Sequence, residues 1–288
     1  MGDHFDISVV IVTFNSRRFI RACLESVVKA GDGENWKVIV VDNASIDGSV
    51  DVAMEYPSVE IIRKNRNVGF AAGVNSGLHV ADSKYVLLLN PDTVVTDGSI
   101  QTLKEYLDAN PDAACVAPQL LDFDGSIQPS CREFPTLRTI LAEFFLLPGV
   151  RRRFPNLDRY RMGYFDHRSR REVDQPMASC MLLRKGVLNK IGHLDESMPI
   201  FFNDVDLCRR MKEKGWRIVF LPDAKVYHYY GASTKALGVN RQLYLAWSMY
   251  RYLRKHEPDL LVYLCGPLLI VGYLFKSIYS MMFGIRRG

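Results

Sequence analysis

Short β-branched runs alternate with stretches of helical periodicity through the first 120 residues. Ile7 to Thr13 is apolar and largely β-branched and ends at Phe14-Asn15-Ser16; Phe19, Ile20, Cys23, Leu24 and Val27 follow at helical spacing. Trp36 to Val41 predicts a second buried strand, ending at Asp42-Asn43-Ala44-Ser45, and Val59 to Arg63 a third, ending at Asn65-Arg66-Asn67-Val68-Gly69. A helix from about Phe70 to Ala81 and a strand from Tyr85 to Leu89, closed by Asn90-Pro91-Asp92, come next. A helix from about Gly98 to Leu107 and a strand from Ala113 to Ala117 continue the pattern. This alternation predicts an α/β fold built on a doubly wound, mostly parallel sheet. Ligands of such sheets sit beyond the carboxyl ends of the strands, where the polar residues named above all fall.

The second half is less regular. Leu120 to Gln128 reads as a hairpin around Asp124-Gly125, Thr136 to Leu147 as a helix, and Asp174 to Leu183 as one strand. Asp204 to Lys214 predicts a helix ended by Gly215, with strands at Arg217 to Leu221 and Lys225 to Tyr229 and an amphipathic helix from Asn240 to Lys255. The division expected is one catalytic domain over 1–256, its halves meeting near 118, and a tail over 257–288. In that tail Leu260 to Phe275 carries no charge. As a helix it would be about 24 Å long, short of the roughly 30 Å of bilayer hydrocarbon, and Pro267 is expected to kink or break it. Beyond the proline, Tyr273, Lys276, Ser277, Ser280, Gly284 and Arg287 form one polar face. The pattern predicts an interfacial or re-entrant membrane anchor; a true span and an oligomer or core helix are the other two readings.

Composition narrows the class. With 288 residues, 48% of them hydrophobic and 24% charged, the chain is an ordinary globular protein, and collagen-like, disordered and disulfide-scaffold readings fall away. The net charge of +5 decides little by itself, but eight arginines fall between Arg151 and Arg171 against Asp158 and Asp166. Such a patch suits phosphates or anionic headgroups, or is a solvated loop. Six cysteines without metal-ligand spacing, and an N-terminus without a basic leader, predict a reducing compartment and a body that stays in the cytosol. No Gly-x-Gly-x-x-Gly follows the first strand and no P-loop occurs, so phosphates must be held another way.

Four ordered segments carry a resemblance: Val9-Val10-Ile11-Val12-Thr13-Phe14-Asn15, Val40-Val41-Asp42-Asn43-Ala44-Ser45, Asn67-Val68-Gly69-Phe70-Ala71-Ala72-Gly73-Val74-Asn75 and Val86-Leu87-Leu88-Leu89-Asn90-Pro91-Asp92. Together they resemble glycosyltransferase family 2, with its GT-A fold, and in particular the rhamnosyltransferase-like branch. The resemblance implies an inverting, divalent-metal-dependent transfer of one sugar, dTDP-rhamnose being the favoured donor, to a lipid-diphosphate-linked or polysaccharide acceptor. It assigns Thr13, Asn15, Asp42, Asn67, Gly69, Asn75 and Asn90 to the nucleotide-sugar. Asp42 could accept hydrogen bonds from a base or ribose, or cap a turn, and Gly69 and Gly73 could simply permit close helix packing. Asp92 matches the last position of the family's Asp-x-Asp metal motif, whose first position is Asn90 here. His228 resembles the downstream metal-binding histidine; a hydrogen-bonded core histidine is its other reading. Hard oxygen ligands suit Mg2+ or Mn2+, which would neutralise the leaving diphosphate.

Asn203-Asp204-Val205-Asp206-Leu207-Cys208-Arg209-Arg210 resembles the segment that carries the base, and Asp204 is the matching position. Asn203 departs from the commoner Glu, and Asp206 reads better as a helix N-terminal charge. Asp195-Glu196, Phe201 and Phe202 lie where an acceptor would pass, or pack in the core; Lys235 and Arg241 are candidate diphosphate contacts. The Gln-x-x-Arg-Trp segment of processive synthases is missing, which predicts one sugar per acceptor visit. The expected place is the cytoplasmic face of the inner membrane, peripheral or monotopic, with the membrane surface as a partner, no nucleic acid, and an oligomer left open. The competing class is a catalytically weak, membrane-bound scaffold that binds nucleotide-sugars. A sugar-nucleotide pyrophosphorylase would need a Gly-rich, Arg-containing loop where Phe14-Asn15-Ser16 stands.

Overall fold

Four strands and the helices between them open the computed structural model, which describes residues 5–145, 159–231, 240–257 and 259–283. They are β1 (Phe5–Thr13), α1 (Arg17–Ala30), β2 (Trp36–Asp42), α2 (Ser49–Met54), β3 (Val59–Arg63), α3 (Phe70–Val80) and β4 (Ser83–Leu89). The four strands are parallel in the order β3-β2-β1-β4, and β1 pairs with β2 up to Thr13↔Asp42, so their polar ends share one edge. Beyond β5 (Thr93–Val95), α4 (Ser99–Ala109) and β6 (Ala113–Leu121), the sheet is completed by β11 (Cys180–Arg184) and β12 (Arg217–His228), giving β3-β2-β1-β4-β11-β6-β12-β5. β11 runs antiparallel to both neighbours, so its first residue lies at the edge where its neighbours end. The whole is a mixed α/β fold around a mostly parallel sheet.

Alternating strand positions feed two cores. Val10, Val12, Ile39, Val41, Val86 and Leu88 belong to one; Val9, Ile11, Val38, Val40, Leu87 and Leu89 belong to the other, against α1 and α4. Both faces are covered, which is why these strands read as continuous apolar runs rather than alternating ones. On the first face lie α3, α6 (Lys185–Ile191) and α7 (Asn203–Glu213). A third cluster joins α5 (Leu137–Phe145), the start of α7, α8 (Asn240–His256) and α9 (Leu260–Phe283).

The structure departs from expectation at three prolines. Asp174 to Leu183 is not one strand: β10 (Gln175–Pro176) pairs with β8 (Cys131–Arg132), and β11 starts only at Cys180. Pro176 has no N–H for a ladder, which suits it to this short edge pairing. Conversely, the two strands expected around Pro222 are one, β12, with a register shift between Leu221 and Lys225 that absorbs the proline. Pro267 does not break the tail: α9 continues through it to Phe283. One lost hydrogen bond is offset by packing, as Val262 and Leu269 on either side of the proline are buried in the third cluster. Tyr273 packs on that cluster too, rather than on an outward polar face; the other side chains of the proposed polar face lie outside the described residues.

The arginine-rich segment is described only from residue 159. Arg159 pairs with Glu133 at 3.2 Å, and β9 (Arg171–Glu172) joins the edge of β12. Arg171 lies 5.2 Å from the ring centres of both Tyr164 and Phe165, and Arg170 5.8 Å from Tyr106. These three arginines serve contacts within the protein.

Candidate functional site

At the carboxyl edge of the sheet, a cavity of about 340 Å³ is lined by Asn67, Gly69, Asn90, Asp92, Asp204, His228 and Arg241. Asp92 sits in the turn between β4 and β5, a turn held on both sides. The Asn90 N–H donates to the Ser179 carbonyl at 2.9 Å, and the Asp92 carbonyl accepts from the Tyr229 N–H at 2.9 Å. The antiparallel β5–β12 pairing sets Thr93 opposite His228, bringing the buried imidazole Nε2 to 3.7 Å from Asp92 Oδ1.

Gln128 fixes the tautomer of that ring. It ends the hairpin strand β7 (Ile127–Gln128), and its amide Nε2 donates to Asp122 Oδ1 at 2.6 Å and to the His228 carbonyl at 2.7 Å. Its Oε1 must then accept, at 2.9 Å, from His228 Nδ1–H. The Nε2 lone pair is left facing Asp92, with the Ser179 hydroxyl 3.2 Å away. Burial pushes the His228 pKa down, against the pull of Asp92, and keeps the ring neutral. A neutral imidazole beside a carboxylate, its far nitrogen anchored by an amide, fits a divalent cation. The set is small: among the described residues no three His, Cys, Asp or Glu side chains gather around one point, so further ligands must be phosphate oxygens or water.

Across the cavity, Asp204 stands in the first turn of α7. Phe202, two residues before it, adopts a left-handed conformation (φ 64°). The Val205 N–H donates to Asp204 Oδ1 at 2.9 Å, and the Ala178 N–H also points at the carboxylate. Burial outweighs these bonds and raises the Asp204 pKa, which makes its carboxylate a stronger base than one in water. Asn203, in place of the commoner Glu, is buried and donates to the Met198 carbonyl at 3.0 Å, tying down the loop that leads to Asp204. Phe201 faces the cavity, 5.8 Å from the Arg241 guanidinium, whereas Phe202 packs against Tyr252 in the third core cluster.

Several other expected residues do not line the cavity. Asp42 accepts from the Ser45 N–H at 3.2 and 3.3 Å and so closes the turn after β2. Asn15 accepts from the Ile46 N–H at 2.9 Å, and Thr13 is wholly buried, its hydroxyl without a hydrogen-bond partner among the described residues. Asn75 does not reach the cavity. Its amide bonds both the N–H and the carbonyl of Leu194, at 3.0 and 2.9 Å, and Glu196 at 2.9 Å, strapping α3 to the loop before Asp204. Asp195, on the same loop, pairs with Lys255 at 2.8 Å. Lys235 lies outside the described residues. Gly69 has φ 89°, and a Cβ there would come within 2.8 Å of Pro199, so only glycine lets the Asn67 turn abut this loop; Gly73 similarly lies flush on Val12.

Three contributors escaped the sequence reading. Ser179 immediately precedes the antiparallel β11 at the site edge, and reading 174–183 as one strand hid it in the middle. Asn43 donates to the Gly69 carbonyl at 3.0 Å and lines the cavity; its place at a strand end was visible. Gln128 meets His228 across 100 positions of sequence, and no local signal marks it.

Residues 8–192 match the model of glycosyl transferase family 2. An N-acetylglucosaminyl-diphospho-decaprenol L-rhamnosyltransferase of Mycobacterium tuberculosis is 30% identical over 245 residues, covering 79% of this chain and 77% of that one. A dTDP-rhamnosyl transferase of Shigella flexneri is 24% identical over 268 residues, 89% and 83% of the two chains. Among solved structures, a mannosyltransferase of Pyrobaculum calidifontis in complex with GDP-Man and Mn2+ superposes with a TM-score of 0.59 at 16% identity, covering 97% of this chain and 76% of that one.

Proposed function

The chain belongs to glycosyltransferase family 2, and from that premise we propose that it is an inverting transferase moving one sugar, rhamnose from dTDP-rhamnose, onto a lipid-diphosphate-linked saccharide. The observation that carries the reading is the meeting of Asp92, His228 and Asp204 in one cavity, a carboxylate–imidazole pair suited to a cation on one side and a base on the other. The names of the Mycobacterium and Shigella relatives support rhamnose, dTDP and a diphosphate-lipid acceptor. The donor diphosphate lies along Asn90 and Asp92, with Arg241 on its phosphates. A Mg2+ or Mn2+ ion held by Asp92 and His228 would neutralise charge on the leaving diphosphate. Asp204 accepts the proton of the acceptor hydroxyl as the new bond to the anomeric carbon forms and the bond to the diphosphate breaks. The enzyme works at the cytoplasmic face of the inner membrane, peripheral or monotopic.

The test is transfer from a panel of nucleotide-sugars with either metal and a membrane lipid extract, for the wild type and Asp204→Asn. Metal-dependent transfer from dTDP-rhamnose, reduced about 10²- to 10⁴-fold in the variant with nucleotide affinity unchanged, is the expected result. Nucleotide binding without turnover under any condition supports the scaffold instead.

A further inference from the structure

The last two helices are apolar on the wrong side as well as the right one. α9 turns Val262 and Leu269 into the third core cluster, and Gly266 lets it close on α8, since a Cβ there would clash with the Tyr250 ring. A surface helix packed in this way should be polar on its other face. Instead Leu260, Leu261, Leu264, Leu268 and Val271 form a continuous outward stripe, with Leu264 59% and Leu268 70% exposed. On α8 the adjoining exposed face carries Tyr244, Trp247, Arg251 and Arg254. The Arg251 guanidinium lies 5.4 Å from Trp247, and Arg254 lies 5.0 Å from Tyr263 on α9, so the two faces are one surface.

The charge on this surface is one-sided. Neither α8 nor α9 contains an Asp or Glu. Residues 240–288 hold seven Lys and Arg against Glu257 and Asp259, equal to the whole chain's formal +5, which leaves 30 cations and 30 acids in residues 1–239. A two-fold contact between copies through this face would set arginines with no acidic partner against one another. An anionic bilayer accepts both parts, leucines in the headgroup–acyl boundary and aromatic-backed arginines at the phosphates.

We propose that the outward face of α8 and α9 docks the enzyme on an anionic lipid bilayer. This deepens the transferase reading and rests on it for its purpose. Arg241, which lines the cavity, is ten residues along α8 from Arg251, about 15 Å of helix. Docking there holds the cavity within reach of an acceptor whose lipid stays in the bilayer and whose diphosphate and sugar project from it.

The experiment is co-sedimentation of the full chain with vesicles of phosphatidylglycerol and phosphatidylcholine, or of phosphatidylcholine alone, without donor or acceptor. The wild type is expected to bind the anionic vesicles at least tenfold more tightly. Leu264→Glu/Leu268→Glu and Arg251→Glu/Arg254→Glu, all at exposed positions, should each lose tenfold or more while keeping the wild-type Tm and nucleotide affinity. Wild type that binds neither vesicle or shows no anionic preference, or variants that bind as well as wild type, would overturn the proposal. So would a stable dimer that the leucine variant dissociates with vesicle binding unaltered. No sugar transfer enters this readout, so vesicle binding by a chain that transfers no sugar would sink the transferase reading alone.

Discussion

Asp204 and Asp206 stand two positions apart on one helix, and their surroundings give them opposite work. Asp204 faces the cavity and accepts bonds from backbone N–H groups, and burial raises its pKa. Activity should therefore fall on the acid side through a pKa above the ordinary aspartate value of about 3.9; a kcat/KM profile against pH, with the nucleotide-sugar donor saturating, reads that limb directly. An acid limb at or below the ordinary value would remove Asp204 from the role of base. Asp206 is fully buried with Arg210 at 2.9 Å and Lys255 and His256 at 2.8 Å, which tie α7 to α8. Burial alone would raise its pKa, but these partners hold it below the ordinary value. Its folded pKa being depressed, its stabilisation is fully present above about pH 3.9 and is lost as pH falls through the lower folded value. Asp206→Asn should cost about 3 kcal/mol in urea unfolding at pH 7, with the gap closing in acid. The pattern that suggested a helix-dipole charge at Asp206 was right that it is structural and blind to its three side-chain partners, which lie up to 50 positions away. Gln128 acts through His228: its replacement by Leu should weaken Mn2+ binding about 10- to 100-fold, read by electron paramagnetic resonance with no substrate present. Unchanged Mn2+ affinity would deny it that positioning role.

Strand ends were the most legible elements, because β-branched runs stop where the chain must turn and the turn residues are polar. β1 to β4, and the edge at which Asp92 lies, follow from that pattern alone. What local pattern could not show is the direction of a strand in a mixed sheet. β11 enters antiparallel, and its reversal places Ser179 beside His228 and Asn90. Prolines misled in both directions for the same reason: a missing N–H ends a strand only where a ladder partner needs it. Pro176 lies in a two-residue edge pairing, whereas Pro222 sits in a register shift that β12 passes through. Asn75 shows the cost of carrying a motif position over without its contacts, since its amide bridges α3 to the Leu194–Glu196 loop. Asn75→Ala should lower stability by about 1–3 kcal/mol through the unpaired Leu194 backbone and lower the Tm, with nucleotide affinity unchanged. A variant of wild-type Tm that binds nucleotide more weakly would return Asn75 to the donor site.

At the scale of the molecule, a charge-balanced body of 239 residues is joined to a short, wholly cationic excess over the last 49. A centrally placed excess would act on donor and acceptor alike; one confined to α8, α9 and the chain's end acts on whatever meets that end. The cavity is reached from both sides of this division, since Arg241 opens α8 while Asn67, Asp92 and Asp204 come from the balanced body. Salt should therefore separate the two substrates. Attraction between exposed cations and a charged surface decays over a Debye length of about 10 Å at 0.1 M and about 3 Å at 1 M, whereas a diphosphate held inside the cavity is screened much less. Raising ionic strength from 0.05 to about 0.5 M should cut transfer to an acceptor embedded in anionic vesicles severalfold through KM. Transfer to a short-chain acceptor free in solution should change little. Equal loss with both acceptors would place the salt-sensitive step at the donor site, and no loss with either would leave the basic end without a part in catalysis on membranes.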